Sequence, residues 1–458
     1  MLPASGRIPF LIAVVASVAS GCGLLAPAPS LMTTSSSPSV VPTVWTGATL
    51  NPTGTPLPTL RPEESSVSAA TASPTIGPTK PPASATTPQP TPAPTFGPLL
   101  NWGGGALPRQ WAEASLGGGS TDVTVGGPGF VIVGWDFNSG RRPVAAAWTS
   151  VDGLAWQEHL VELGLGDTWG AVGGPGFHAV AASGAALIAL GPVGIWRSTD
   201  GVSWERAVEP QAINVPLRDV AWGPAGFVVI GPAGGPDAET WRSDDGRDWL
   251  WDPASPALSG FCPGMVAGGP LGYTAIGSDC ADPERPVIVA STDGSTWSRA
   301  PSQSSLSGAL YRGGVAAGGP GWIAFGRFTP SGAQTWGTQF WVSADGLAWR
   351  RTAFLPPSTS YVPCPAELDN AWMLDIAPFA GGYVGVGTSS YNNDPHGAAW
   401  ASPDGVSWHS LCNSTGPSDF VFPMNGVAAN SDRLVVAGST GYIDYLPYAY
   451  AATVSSNP

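Results

Sequence analysis

Arg218, Arg312, Tyr311 and Asp375 are the residues of this 458-residue sequence whose types and placement suit the binding of an acidic small ligand. A guanidinium fork grips a carboxylate through two parallel hydrogen bonds. Two such forks in a chain of 18 basic and 32 acidic residues would make a local positive site. The competing role for Arg218 is a simple ion pair with its neighbour Asp219. Other chemistry finds less to work with, and no catalytic residue is assigned. Acidic residues lie on many segments without the marked pairing of a glycosidase. His159, His178, His396 and His409 fit no zinc spacing. Asp136-Phe-Asn138-Ser-Gly140 and Asn392-Asn393-Asp394 open like calcium loops but lack the downstream Glu. No metal and no cofactor is expected.

The elements that must position these residues are repeats. Six segments share Ser-x-Asp-Gly-x-x-Trp: Ser150, Asp152, Gly153 and Trp156; Ser198, Asp200 and Trp204; Ser243, Asp245 and Trp249; Ser291, Asp293 and Trp297; Ser343, Asp345 and Trp349; Ser402, Asp404 and Trp408. Tryptophan also precedes the serine by two residues in five of them, with Val289 in the sixth. Upstream of each lies a small-residue turn and an apolar run ending in Gly, as in Gly126-Gly-Pro-Gly-Phe-Val-Ile-Val-Gly134. A seventh copy, from Ala429 to Gly438, precedes a strand near Tyr448 to Val454. Each unit therefore reads strand, tight turn, strand, variable loop, strand, Asp-Gly turn, strand.

Successive motif tryptophans lie 45 to 59 residues apart, a spacing that suits four-stranded propeller blades. The expected fold is all-β, a seven-bladed β-propeller over residues 101–458. The last unit lacks its fourth strand. Trp111-Ala-Glu-Ala-Ser-Leu has the register of Trp156-Gln-Glu-His-Leu-Val. An N-terminal strand at Trp111 is thus expected to close the last blade and remove an open sheet edge. The tight turns and Asp-Gly turns share one end of such a propeller, and the variable loops and blade connections share the other. Arg218 and Arg312 then fall near the starts of innermost strands. The connection Phe354 to Asp375 is the longest. Variation on one face points to that face as the functional one.

The motif resembles the Asp-box, or bacterial neuraminidase repeat, of the sialidase-like propeller superfamily, with a turn one residue shorter in every copy. The resemblance covers about Leu107 to Val454 and implies the propeller fold. The motif's own role is structural: Ser and Asp accept backbone N–H bonds, Gly permits positive φ, and Trp covers the apolar layer. Sialidases use three arginines, a Tyr with a partner Glu, and an Asp acid. The only Arg-Ile-Pro is Arg7-Ile8-Pro9, and a third central arginine cannot be assigned.

The first residues address the chain outward. Residues 1–21 read as a signal peptide: Arg7 supplies the positive region and Phe10 to Val18 an apolar stretch too short to span a bilayer. Ala19-Ser20-Gly21-Cys22 resembles a bacterial lipobox, which makes Cys22 the lipid-bearing residue. Residues 22–100 are rich in Pro, Thr and Ser and bury too little to fold, so they read as a disordered linker. Roughly 75 residues of this kind reach about 50 Å as a flexible coil. The four remaining cysteines enter an oxidising space. Cys262 with Cys280 brackets an inner hairpin, and Cys364 with Cys412 ties two blade connections, so those two disulfides are expected.

The function expected is that of a membrane-anchored extracytoplasmic module, on a bacterial cell membrane, that binds protein or glycan ligands through its variable-loop face. The alternative is an extracellular sialidase-like glycoside hydrolase. Its partners would be the membrane, through the lipid anchor, and that ligand, with the chain a monomer. Nucleic acid is excluded, because the only lysine is Lys80 and the balance of charge is acidic.

Overall fold

The protein is described here by a computed structural model covering residues 100–107, 118–163, 175–192, 194–208, 217–232, 237–252, 255–301, 309–319, 321–329, 337–352, 371–391, 394–411, 424–439 and 447–454. Among the described residues twenty-eight strands form seven four-stranded antiparallel sheets, the blades of a β-propeller. Strand β1 (Leu100–Ala106) comes first in the chain and last in the ring. Blade 1 is β2 (Gly119–Gly126), β3 (Gly129–Phe137), β4 (Pro143–Ser150) and β5 (Gln157–Val161). Blade 2 is β6 (Ala179–Ala182), β7 (Leu187–Gly191), β8 (Gly194–Ser198) and β9 (Glu205–Arg206). Blade 3 is β10 (Asp219–Gly223), β11 (Gly226–Pro232), β12 (Ala238–Ser243) and β13 (Leu250–Asp252). Blade 4 is β14 (Phe261–Gly269), β15 (Gly272–Asp279), β16 (Asp282–Ser291) and β17 (Trp297–Arg299).

Blade 5 is β18 (Ala309–Gly318), β19 (Gly321–Thr329), β20 (Gly337–Ser343) and β21 (Arg350–Arg351). Blade 6 is β22 (Ala371–Phe379), β23 (Gly382–Tyr391), β24 (Asp394–Ser402) and β25 (His409–Ser410). Blade 7 is β26 (Met424–Ala429), β27 (Arg433–Ser439) and β28 (Pro447–Val454), completed by β1. The innermost strands touch in sequence, β2 to β6 to β10 and on to β26, which returns to β2 and closes the ring.

An N-terminal strand closes the last blade, but it is not the one at Trp111. Leu100–Ala106 pairs along its whole length with Tyr448–Val454 and occupies the outer place of blade 7. Its sequence, Leu-Asn-Trp-Gly-Gly-Gly-Ala, carries none of the motif's register. Backbone pairing, which ignores side-chain pattern, fills the edge. Trp111 lies outside the described residues. Leu100 is the first described residue, and the segments 1–21 and 22–99 lie outside the described residues.

The core is a set of seven clusters, each between two neighbouring blades. The tryptophans two residues before the motif serine belong to five of them. Trp148, Trp341 and Trp400 are fully buried, and Trp196 and Trp241 nearly so. Each packs against the preceding blade, with Val289 in the same role in blade 4. The strands are short and alternate toward both neighbours, so a blade alone leaves both faces open. Ring closure is what buries them.

Candidate functional site

The six Ser-x-Asp-Gly-x-x-Trp segments form one recurrent turn. In blade 4 the Ser291 hydroxyl accepts the Gly294 N–H at 2.8 Å and donates to Asp293 Oδ1 at 3.0 Å. Asp293 Oδ1 accepts the N–H groups of Ser295 and Thr296 at 2.9 and 2.7 Å. The Trp297 indole N–H donates to the Gly294 carbonyl at 3.1 Å. The same serine and aspartate bonds recur at Ser150–Asp152, Ser198–Asp200, Ser243–Asp245, Ser343–Asp345 and Ser402–Asp404. The indole bond recurs at Trp156, Trp204, Trp249 and Trp349, while Trp408 stacks on Phe340 instead. The turn glycines have φ between +72° and +78°, and a Cβ on Gly153 would meet Val435 of blade 7 at 2.6 Å. These carboxylates are committed to turn geometry, at the end of the propeller away from the variable loops.

At the other end each innermost strand begins with a repeated irregularity. Register shifts leave Thr121, Gly264, Arg312, Leu374 and Asn425 unpaired in β2, β14, β18, β22 and β26. A β-bulge of this kind re-aims the side chain at the bulged position. In blades 2 and 3, His178 and Arg218 stand at the same point, directly before the first paired residue. In blade 5 the shift comes one residue nearer the loops, so Gly313 holds the ring position and Arg312 lies just outside it. A ring of seven positions results: Thr121, His178, Arg218, Gly264, Gly313, Leu374 and Asn425.

Two of the seven are tied into the wall. The Thr121 hydroxyl donates to the Phe177 carbonyl at 2.8 Å, and His178 Nε2 bonds the Leu217 carbonyl at 3.1 Å. Burial pushes the His178 imidazole below its ordinary value, so it is neutral near pH 7. The other five line a cavity of about 500 Å³ at the mouth of the central channel, together with Cys262, Pro263, Met265, Gly277 and Ser278. Glycine at the ring positions of blades 4 and 5 leaves the space. Gly264 has no room for more, since a Cβ there would meet the Ile276 carbonyl at 3.0 Å.

Directly behind the ring lie three carboxyls that the repeat pattern did not single out as a set. Asp122, Asp219 and Asp375 each follow a ring residue. Each Oδ1 accepts the next residue's N–H: Val123, Val220 and Ile376, all at 2.8 Å. Each Oδ2 reaches to the next blade: Val180, Val266 and Val427, again at 2.8 Å. They are inter-blade clamps. Each is half-buried, with its carboxyl crowded by surrounding protein. Burial pushes Asp122 up to about 6 and Asp219 up to about 8, and raises Asp375 well above the carboxylate range. The mutual repulsion of the three, felt across the ring, adds to the shift of Asp219 and Asp375.

The four residues expected to hold an acidic ligand are thus placed differently. Arg218 is exposed and lines the cavity. Asp219 does not neutralise it, because both carboxyl oxygens of Asp219 are turned to backbone N–H groups. Among the described residues no carboxylate lies within ion-pair distance of Arg218. Asp375 is the fifth residue of β22, not the end of a connection, and its carboxyl is held by Ile376 and Val427. Its neighbour Leu374 lines the cavity in its place. Tyr311 and Arg312 lie in β18, and their side chains are outside the described residues.

Cys262 and Cys280 are joined, with Cα atoms 5.0 Å apart, and Cys262 forms part of the cavity wall. Cys364, Cys412 and Cys22 lie outside the described residues. No group of three or more metal-ligating side chains occurs among the described residues. Leu374, Asn425, Met265 and the clamp Asp122 went unread in the sequence, and Asp219 was read only as an ion-pair partner for Arg218. A signal for the clamps exists: Thr121-Asp-Val, Arg218-Asp-Val and Leu374-Asp-Ile stand at one point of the repeat.

Fold and site together define a seven-bladed β-propeller with a cavity at the loop-side mouth of its channel. No family model matches the chain, and no curated protein matches it. Solved structures similar to it include a protein of unknown function from Dyadobacter fermentans, 11% identical over 78% of this chain and 99% of that one, with a TM-score of 0.40. Trypanosoma rangeli sialidase is 14% identical over 75% of this chain and 55% of its own, with a TM-score of 0.38. Pyrococcus horikoshii acylaminoacyl peptidase is 9% identical over 74% and 53%, with a TM-score of 0.42. This chain therefore spans about half the length of the sialidase and of the peptidase.

Proposed function

We propose that this chain is a lipid-anchored extracytoplasmic binding module, which takes a protein or glycan ligand on the variable-loop face of its propeller. The observation that carries the reading is the contrast at the channel mouth. One unpaired guanidinium, Arg218, faces an open cavity, while the carboxyls behind it are saturated by backbone N–H groups. A general acid or nucleophile needs a carboxyl free to reach substrate. Three that each hold two blade strands together serve the ring instead. The Ser-x-Asp-Gly-x-x-Trp turns, read as Asp-box repeats of the sialidase-like superfamily, are spent in the same way on the opposite end. Anchoring rests on Ala19-Ser20-Gly21-Cys22, with Cys22 as the lipid-bearing residue.

A glycan and peptide array probed with the mature chain, run beside a fluorogenic glycosidase panel, tests the reading. Saturable binding without turnover is the expected result. Release of fluorophore from any glycoside would replace it with the hydrolase reading. Mass analysis of the mature N-terminus should find diacylglycerol on Cys22, and Cys22→Ala should free the protein from membranes.

A further inference from the structure

We propose that the mouth cavity is a receptor for a peptide C-terminus, with the terminal carboxylate on Arg218, the last peptide N–H on Asn425 Oδ1 and an apolar terminal side chain against Met265 and Leu374. The proposal deepens the binding reading above and rests on it. Four observations carry it.

The first is charge. Among the described lining residues Arg218 is the only charged group, and it is both exposed and unpaired. Its immediate neighbours do not compensate it. Both carboxyl oxygens of Asp219 are taken by backbone N–H groups and burial pushes the group up to about 8, while burial lowers His178 and keeps it neutral. A carboxylate brought to this guanidinium gains a charge-assisted, bidentate pair without displacing an existing partner.

The second is the polarity of Asn425. Its Nδ2 donates to the Ser120 carbonyl at 3.0 Å, which fixes the amide with Oδ1 left to accept. Asn425 in blade 7 stands across the cavity from Arg218 in blade 3, so a ligand that meets both carries an anion on one side and an N–H donor on the other. The terminal residue of a peptide carries both groups. A carboxylate without a neighbouring donor would leave this acceptor unmet, which costs about 1–3 kcal/mol when the group is desolvated.

Third, the remaining wall is apolar or small: Pro263, Met265, Leu374, three glycines and the Cys262 half of the disulfide. Methionine and leucine take a flexible aliphatic side chain well. Among the described lining residues there is no aromatic ring to stack on a sugar face. An acidic sugar would satisfy Arg218 without a stacking partner among those residues. Fourth, the volume of about 500 Å³ falls inside the range of about 300–1,000 Å³ typical of small-ligand pockets. It suits one or two terminal residues and lies open on the loop face, where the rest of a chain can leave.

Calorimetry on the mature full-length chain tests this. The probes are N-acetyl-alanyl-alanyl-leucine as the free acid, the same peptide as its C-terminal amide, and glucuronic acid. The free acid should bind at least tenfold more tightly than the amide. Arg218→Ala should abolish the difference between them, and Arg218→Lys should restore part of it. Asn425→Leu should weaken the acid about tenfold with the fold intact by circular dichroism. Arg247→Ala, on the opposite face, should change nothing. Equal binding of acid and amide, preference for glucuronic acid, or no binding of the free acid at millimolar concentration would each overturn the proposal. Array binding that survives Arg218→Ala would leave the loop-face reading standing and remove this one. Turnover of a glycoside would remove the broader reading itself.

Discussion

Asp375 Oδ2 accepts the backbone N–H of Val427 at 2.8 Å, and this bond joins the innermost strand of blade 6 to that of blade 7. The same carboxyl takes the Ile376 N–H through Oδ1. Removing it strands two enclosed donors in the channel wall. Asp375→Ala should therefore destabilise the protein by about 2–4 kcal/mol, as the loss of two hydrogen bonds and their unsatisfied donors requires. Urea unfolding would measure it. A change below about 1 kcal/mol would mean that the strands hold each other without the clamp.

The clamps and the turns titrate in opposite senses. Asp122, Asp219 and Asp375 have raised values in the folded protein, so folding favours their protonated forms. The stability they contribute is complete below the unfolded carboxyl value and is lost as pH rises, through about 6 for Asp122 and about 8 for Asp219, with Asp375 shifted in the same direction. In the turns, backbone N–H bonds hold Asp152, Asp245 and Asp345 below the ordinary value. Their contribution is present above that value and fades as pH falls beneath it. Each is small, because these groups face solvent. Thermal stability should peak between about pH 4 and 6 and decline toward pH 9. Asp219→Asn should flatten the alkaline limb. A melting temperature that rises steadily from pH 5 to pH 9 would contradict the assignment.

The blades were legible because their chemistry repeats. Ser-x-Asp-Gly-x-x-Trp needs particular atoms for its bonds, so sequence and turn geometry are one pattern. The mouth of the channel was legible only in part. Arg218 stands out as a cation where a strand begins, whereas Asn425 and Leu374 are ordinary residues until a bulge turns them to one cavity. A bulge depends on register with the neighbouring strand, and nothing in Met-Leu-Asp or Met-Asn-Gly announces it. Asp375 was noticed as a ligand contact, and its carboxyl is held by the N–H groups of Ile376 and Val427. One residue of register separates a side chain that lines the cavity from one that crosses to the next blade. The closing strand failed to show for a related reason. An outer strand with three consecutive glycines is selected by backbone pairing, so motif matching pointed to Trp111.

The disulfide between Cys262 and Cys280 closes a hairpin of sequence separation 18 whose ends are already paired, Phe261 opposite Asp279. Its stabilisation should come mainly from restricting the unfolded chain, which the loop-entropy model puts at roughly 3 kcal/mol. Cys262→Ala with Cys280→Ala should lower stability by about that amount and leave the folded spectrum unchanged. Unfolding on reduction alone would show that blade 4 depends on the bond for its fold. Because Cys262 borders the cavity, the double variant should also weaken binding of the acidic peptide.

The closing strand supplies the sharpest test of how the ring is built. Leu100–Ala106 contributes seven paired residues to the outer edge of blade 7, and Leu107 behind it is buried in the cluster between blades 7 and 1. A chain starting at residue 99 keeps all of this. A chain starting at residue 108 keeps every motif tryptophan and even Trp111, yet loses the fourth strand of one blade. It would expose β28 (Pro447–Val454) as an open edge, which invites association with other chains. The shorter chain should melt at least about 10 °C lower, or without cooperativity, and should aggregate on concentration. The longer should melt like the mature protein. Equal melting of the two would mean that Leu100–Ala106 is dispensable, and that another segment, with Trp111 the first candidate, can take its place at the edge.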